Sequence, residues 1–173
     1  QPRKGYPVSY AATAHRLVQK LAADPLVGPH IDSTLQSPAP HGPMRGARLV
    51  ILGQDPTVKR VASRRLISKV LNLDKPGSLR TYLDGVCRKL SLDLDREVYS
   101  TNLVNAFFRD PPASDSAMLR RAAQIWRPLL SEELTAHPNA WIITLGEPLL
   151  DTIVTGDAPR KVRDYWGYEE GHN

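Results

Sequence analysis

The sequence predicts an α/β fold in three layers, with helices on both faces of a central, mostly parallel four-stranded sheet. Residues 49–52 and 140–145 are largely apolar without alternation, which is typical of parallel strands covered on both faces. Segments with helical spacing of apolar residues separate the strands, and this order favours parallel pairing with right-handed crossovers. With 173 residues, the chain is expected to form a single domain, residues 1–173.

Residues 1–47 are predicted to form a helix followed by a long loop. Ala14, Leu17, Val18 and Leu21 recur at helical spacing, which predicts a helix over residues 9–23 with Ser9 as its N-cap. Five prolines between residues 24 and 46 then indicate a loop, and loops of this length are often functional or mobile.

The α/β core is expected to occupy residues 48–173. Helices are predicted over residues 60–73, 78–90, 115–136 and 147–154, and strands over residues 49–52, 97–102 and 140–145. Ser78 is the predicted N-cap of its helix, and Pro128 is predicted to bend the longest helix. Because parallel strands end at the same sheet edge, Asp55, Asn102 and Gly146 are expected to share one rim, where ligands bind in such sheets.

Composition narrows the class of protein. A net charge of +5 favours a polyanionic partner such as nucleic acid. The single cysteine, Cys87, excludes an internal disulfide and any zinc or iron–sulfur centre held by four cysteines, so a reducing, cytoplasmic location is expected. No apolar run approaches the roughly 20 residues of a membrane span, and no signal-peptide core is visible, so no membrane association is expected.

Four short motifs occur in an informative order. They are Gly53-Gln54-Asp55-Pro56, Gly77-Ser78-Leu79, Ser100-Thr101-Asn102-Leu103-Val104 and Ile143-Thr144-Leu145-Gly146. Together they resemble the uracil-DNA glycosylase superfamily over about residues 49–154. The first is similar to that family's water-activating segment, Gly-Gln-Asp-Pro-Tyr-His, at four of six positions.

The resemblance implies a DNA glycosylase with no cofactor or metal, acting on DNA as a monomer. Asp55 would stabilise an oxocarbenium-like sugar and orient water, and Gln54 would bind a carbonyl of the leaving base. Asn102 would read the flipped base, because its amide both donates and accepts hydrogen bonds. Ser78 would hold the DNA backbone. Taken singly, each motif has a plainer interpretation: a capped turn, a loop-capping Asn, a helix N-cap.

A basic cluster follows the Asp55 turn and contains no acidic residue. Its members include Lys59, Arg60, Arg64 and Arg65. Such a run is usually a solvated helix face, but beside a base-flipping site phosphate contacts would be needed for affinity and register. We expect some of these residues to contact DNA.

The first motif departs from the family at its end, where Thr57 and Val58 replace Tyr and His. In uracil-specific members that Tyr walls off the C5 position of the pyrimidine, so Thr57 predicts room for a C5-modified base, such as those of phage DNA. The alternative is that another bulky side chain refills the space. The family's stacking aromatic is also missing from residues 66–70, which leaves Phe107, Phe108 or the proline-rich loop as candidates.

The family's second catalytic motif, His-Pro-Ser, is missing after the third strand. His137-Pro138-Asn139 precedes that strand and is interpreted as a helix-ending turn, while His172 is a candidate remnant. We expect a fourth strand carrying this motif to lie beyond Asn173. The competing functions are a non-catalytic nucleic-acid-binding module of the same fold, which would explain the missing motif, and an enzyme acting on a free nucleoside or nucleotide.

Overall fold

The computed structural model of the protein describes residues 9–112, 115–146, 149, 152 and 153. These contain four α-helices and three strands, joined in part by short 3-10 turns. In chain order they are α1 (Ser9–Ala23), β1 (Leu49–Gly53), α2 (Val61–Arg64), α3 (Ser78–Lys89), β2 (Val98–Asn102), α4 (Ser116–Thr135) and β3 (Trp141–Thr144).

The sheet is parallel, which confirms the predicted α/β class. β1 lies at its centre and pairs with β2 on one side and β3 on the other. The register places Gly53 opposite Asn102 and Leu52 opposite Thr144. The part of the chain described here holds three strands, not the four predicted; the fourth strand was expected beyond these residues.

Helices cover the two faces of β1. Leu52 packs with α1 and α4 in the larger core cluster, which contains Trp126. Leu49 and Ile51 point the other way and pack with α3 through Leu83. The alternation along β1 therefore places one apolar face toward each helical layer, and the carboxyl ends of β1 and β2 meet at one rim.

The segment 60–73 is not the continuous helix that its periodicity predicted. α2 ends at Arg64, and a 3-10 turn follows only at Val70–Asn72. Between them the chain pairs with the proline-rich loop, because the Ala39 N–H donates to Ser68 O and the Val70 N–H donates to Ala39 O. Backbone groups used in this pairing are lost to a helix, so the prediction was wrong for a tertiary reason.

Three other helices, α1, α3 and α4, lie where the periodicity predicted them, and one predicted N-cap is wrong. α1 spans Ser9–Ala23 as predicted, and α4 begins after Asp115, whose carboxylate accepts from the Met118 N–H. α3 has Gly77 as its N-cap, so the prediction of Ser78 as N-cap was wrong. Of residues 147–154, the structure describes Leu149, Thr152 and Ile153, all helical. No helix within the described ranges is both long and apolar enough to cross a bilayer.

Candidate active site

The loop after β1 holds the Asp55 carboxylate by both of its oxygens. The Thr57 backbone N–H donates to Oδ1 at 2.8 Å, and Gln54 Nε2 donates to Oδ2 at 2.8 Å. Thr57 is itself anchored, since its Oγ1 accepts from the Phe108 N–H at 2.8 Å. Two hydrogen bonds from neighbours in sequence therefore fix a carboxylate just past the end of a buried strand.

Burial raises the pKa of Asp55 above its ordinary value. Hydrogen bonds from Thr57 and Gln54, together with the charge of Arg64, act in the opposite direction. The carboxylate thus lies in a low-dielectric place where its charge acts strongly, with donors that favour the ionised form.

Asn102 ends β2 directly beside this loop and is 0% exposed. Its Nδ2 donates to Asn105 Oδ1 at 3.0 Å, whereas its Oδ1 is buried and has no partner among the described residues. The amide lies over Gly53, where a Cβ would overlap Oδ1 and would come within 3.2 Å of Leu71 Cδ2. Gly53 therefore makes room for the Asn102 amide.

Leu71 borders the same space with an unusual backbone. Its φ of 56° lies in the left-handed region, which is disfavoured for a bulky side chain. The side chain is half-buried and packs against the cluster under α3. A strained residue beside the Asn102 amide is a feature that tertiary contacts maintain and that functional sites often contain.

Asn105 is a site residue that the motif comparison did not identify. Its Nδ2 donates to the Tyr10 hydroxyl at 2.9 Å and to Pro38 O at 2.6 Å, which links β2 to α1 and to the proline-rich loop. The only hint in the sequence is a second Asn three residues after Asn102. Asn105 orients the Asn102 amide by accepting from its NH₂ group.

Comparison with known families is consistent with this geometry. Residues 39–168 match the family model described as Uracil DNA glycosylase superfamily, and the match covers more than half of the chain. The chain belongs to this superfamily. The resemblance seen in the motifs is thereby confirmed. No curated protein matches the chain.

The cations of this superfamily member divide into two kinds. Arg64 is 3% exposed, and its guanidinium donates to Val58 O at 2.8 Å and to Phe108 O at 2.7 Å. It therefore holds the Asp55 loop against the segment after β2, and this position does not suit the DNA contact that we predicted for it. Lys59 and Arg60 follow the same loop directly, Arg65 follows α2, and all three are exposed.

Ser78 and His137 lie on elements other than the Asp55 loop. Ser78 is exposed at the first position of α3, a helix N-terminus, which is a favourable place for a phosphate group. His137 is buried after α4, where its Nδ1 accepts from the Ala47 N–H and its ring packs on Tyr99. This supports its interpretation as part of a helix-ending turn, whereas His172 lies outside the described residues.

The described part of the chain contains no group of three or more His, Cys, Asp or Glu side chains that could hold a metal ion. The site as described consists of a fixed carboxylate, a buried amide and a rim of exposed cations.

Proposed function

We propose that this protein is a DNA glycosylase that hydrolyses the N-glycosidic bond of a pyrimidine flipped out of DNA. The observation that carries the proposal is the Asp55 carboxylate, held by Thr57 and Gln54 at the strand end beside Asn102. Membership of the superfamily supports a DNA substrate and this class of reaction. The product would be an abasic site, formed in DNA repair or in defence against modified phage DNA.

Asp55 would act on the sugar. As the C1′–N1 bond breaks, its electron pair leaves with the base and positive charge develops on the sugar ring. A carboxylate prearranged in a low-dielectric site stabilises that charge and orients the water whose oxygen bonds to C1′. The proton released by water ends on the departing base. Gln54, which fixes Asp55 Oδ2, would also donate to a base carbonyl.

Asn102 would read the base edge with its carbonyl. One N–H of Nδ2 is engaged by Asn105, whereas Oδ1 is buried with no partner among the described residues, so Oδ1 is the group that most needs a ligand, and it accepts hydrogen bonds. A partner must then present an N–H, such as N3–H of a uracil ring or the exocyclic amine of cytosine. An unpaired buried acceptor costs about 1–3 kcal/mol, which such a donor would recover. Thr57 would border the C5 side and leave room for a substituent.

Exposed residues would supply the DNA contacts. Lys59, Arg60 and Arg65 would bind phosphates around the Asp55 loop, and Ser78 would bind one at the start of α3. Phosphate contacts of this kind set affinity and register without selecting a base. Arg64 would instead support the loop from inside.

The test is the variant Asp55→Asn, which keeps the shape and the acceptor toward the Thr57 N–H but removes the charge. We expect base release to fall by about 10²–10⁴-fold, the usual contribution of such a group, while DNA affinity stays equal or rises. Alkali-labile sites are measured on oligonucleotides carrying uracil, thymine or C5-modified pyrimidines. The exposed Asp110→Asn serves as control. Undiminished release by Asp55→Asn would contradict the proposal.

One observation favours a second candidate, a nucleic-acid-binding module without turnover. The superfamily's His-Pro-Ser motif is missing from the sequence directly after β3. In that case the wild-type protein and Asp55→Asn would both bind DNA, and neither would release any of the bases tested.

A further inference from the structure

The structure contains a cleft of about 860 Å³ that is lined by none of Asp55, Thr57 and Asn102 but is linked to them by hydrogen bonds. Its walls are α1, the loop of residues 33–39 and the segment of residues 64–68. Pockets for small ligands span about 300–1,000 Å³, so this cleft is large enough for a chemical group well beyond a methyl.

Two chains of contacts connect the cleft with the residues around the proposed base position. Asn105, which holds Asn102, donates to Tyr10 and Pro38, and both of these line the cleft. On the other side, Phe108 donates to Thr57 and accepts from Arg64, which also lines the cleft. The cleft is therefore a near neighbour of both Asn102 and Thr57.

The space is consistent with two departures from the superfamily pattern. Thr57 stands where a Tyr is usual, and residues 66–70 contain no aromatic side chain. From that second stretch, Ile67 and Ser68 line the cleft. Residues 66–70 thus carry small or flexible side chains where the resemblance implies a ring, and the volume beside Ile67 and Ser68 is open, whereas Thr57 is linked to the cleft only through Phe108.

The lining has the chemistry of a site for hydroxyl groups. Among the described residues that line it, none is acidic, and Gln36, His15 and Arg65 add further polar groups to five hydroxyls. The hydroxyls belong to Tyr10, Ser33, Thr34, Ser37 and Ser68; those of Thr34 and Ser68 already donate to Asp32 and Asp74, and that of Tyr10 accepts from Asn105. Alanine, valine, leucine and isoleucine side chains complete the wall. A sugar presents the matching surface, since its hydroxyls need donors and acceptors while its C–H faces pack on apolar groups.

We propose that this cleft receives the C5 substituent of the target pyrimidine, and that the substituent is a hydroxyl-rich group of sugar size. This inference rests on the proposed glycosylase function and names the substrate class within it. The base would meet Asn102, while the substituent would extend past Thr57 into the cleft. Recognition of the substituent then separates foreign modified DNA from ordinary DNA.

The test compares three oligonucleotides of one sequence, carrying uracil, 5-hydroxymethylcytosine or glucosylated 5-hydroxymethylcytosine. We expect the glucosylated base to be released faster than the hydroxymethylated one, and its DNA to bind more tightly, by about tenfold or more, as a few added hydrogen bonds would give. Rates of abasic-site formation and dissociation constants are both measured.

A pair of variants on α1 makes the test specific to the cleft. Ala11 is exposed and lines the cleft, whereas the neighbouring Ala12 is exposed and does not line it. Ala11→Phe should fill the cleft and abolish the advantage of the glucosyl group, and Ala12→Phe should preserve that advantage.

The outcomes separate the two proposals. Release of uracil with no advantage for the glucosylated base overturns the cleft assignment and leaves the glycosylase proposal standing. An Ala11→Phe effect of equal size on all three substrates also overturns it, because that pattern indicates a site for a flanking nucleotide. No release from any substrate contradicts the glycosylase proposal. In that case, tighter binding of the glucosylated DNA that is lost in Ala11→Phe still supports the cleft assignment, and equal binding of the three oligonucleotides overturns it.

Discussion

At the scale of single residues, the candidate site depends on Gly53 having no side chain. Gly53 ends β1 opposite Asn102, and the Asn102 amide occupies the space that a Cβ would take. The amide cannot simply swing away, because it is 0% exposed and its Nδ2 is held by Asn105. The glycine of the Gly-Gln-Asp-Pro motif therefore serves close packing between two strand ends.

Gly53→Ala should accordingly lower both stability and base release. Forcing Asn102 to move disrupts a buried hydrogen bond and overpacks the strand end, which together cost about 1–3 kcal/mol. Chemical denaturation measures the stability, and abasic-site formation measures the activity. Gly85→Ala is the control, because a Cβ there meets no atom within 4 Å and Gly85 lies within α3. If Gly53→Ala lowered stability and base release no more than Gly85→Ala does, this account of the motif would be contradicted.

At the scale of elements, α4 is joined to β2 by a buried carboxyl group. Glu133 Oε1 accepts from the Tyr99 hydroxyl at 2.7 Å and from Thr101 Oγ1 at 2.8 Å. Burial raises the pKa of Glu133 from 4.5 to about 7, against the effect of those two hydrogen bonds. The helix thus contacts the sheet through a carboxyl group that titrates near neutrality.

Glu133 should therefore make the protein less stable as the pH rises. Between pH 4.5 and about 7 the unfolded chain loses this proton while the folded chain retains it, so the free energy of unfolding falls with pH. The full loss is about 3 kcal/mol. Glu133→Gln, which cannot ionise, should match the wild type near pH 4.5 and exceed its melting temperature at pH 8.

The exposed neighbour Glu132→Gln is the control for this pH profile. It removes a charge from the same helix without touching Tyr99 or Thr101; because that charge is the smallest of the causes that raise the Glu133 pKa, most of the pH dependence should remain. A melting-temperature difference between Glu133→Gln and the wild type that stays constant from pH 4.5 to pH 8 would show that Glu133 does not titrate as argued.

At the scale of the whole molecule, the exposed cations that contribute to the net charge of +5 can be assigned to positions on the fold. Lys59 and Arg60 are exposed on the loop that carries Asp55, at the rim where β1 and β2 end. Arg88 and Lys89 are exposed at the C-terminal end of α3, and in the chain they precede β2. DNA bound at the rim would meet the first pair and miss the second.

The double variant Lys59→Glu, Arg60→Glu should weaken DNA binding and flatten its salt dependence. Each lost phosphate contact lowers the slope of log affinity against log salt by about 0.9 on duplex DNA. Arg88→Glu, Lys89→Glu carries the same change of net charge and should leave that slope near the wild-type value. Equal slopes for both double variants would indicate that only net charge matters.

Much of this protein could be predicted because its signals are local. The spacing of Ala14, Leu17 and Leu21 predicts α1, and the unbroken apolar run before Gly53 predicts a buried parallel strand. The order of four motifs identified the superfamily and placed Asp55 and Asn102 at one rim. Periodicity and the order of elements are properties of residues that are close in the chain, so they can be recognised in the sequence alone.

The tertiary structure alone decided which polar groups face inward and which remain available. In the folded protein Arg64 is buried and its guanidinium donates to Phe108 O, and the predicted helix over residues 60–73 is interrupted after Arg64. Asn105 donates to Tyr10, which is distant in sequence. It also opened the cleft between α1 and the proline-rich loop. Each outcome depends on backbone and side-chain groups distant in sequence competing for one buried space, and local pattern carries no information about that competition.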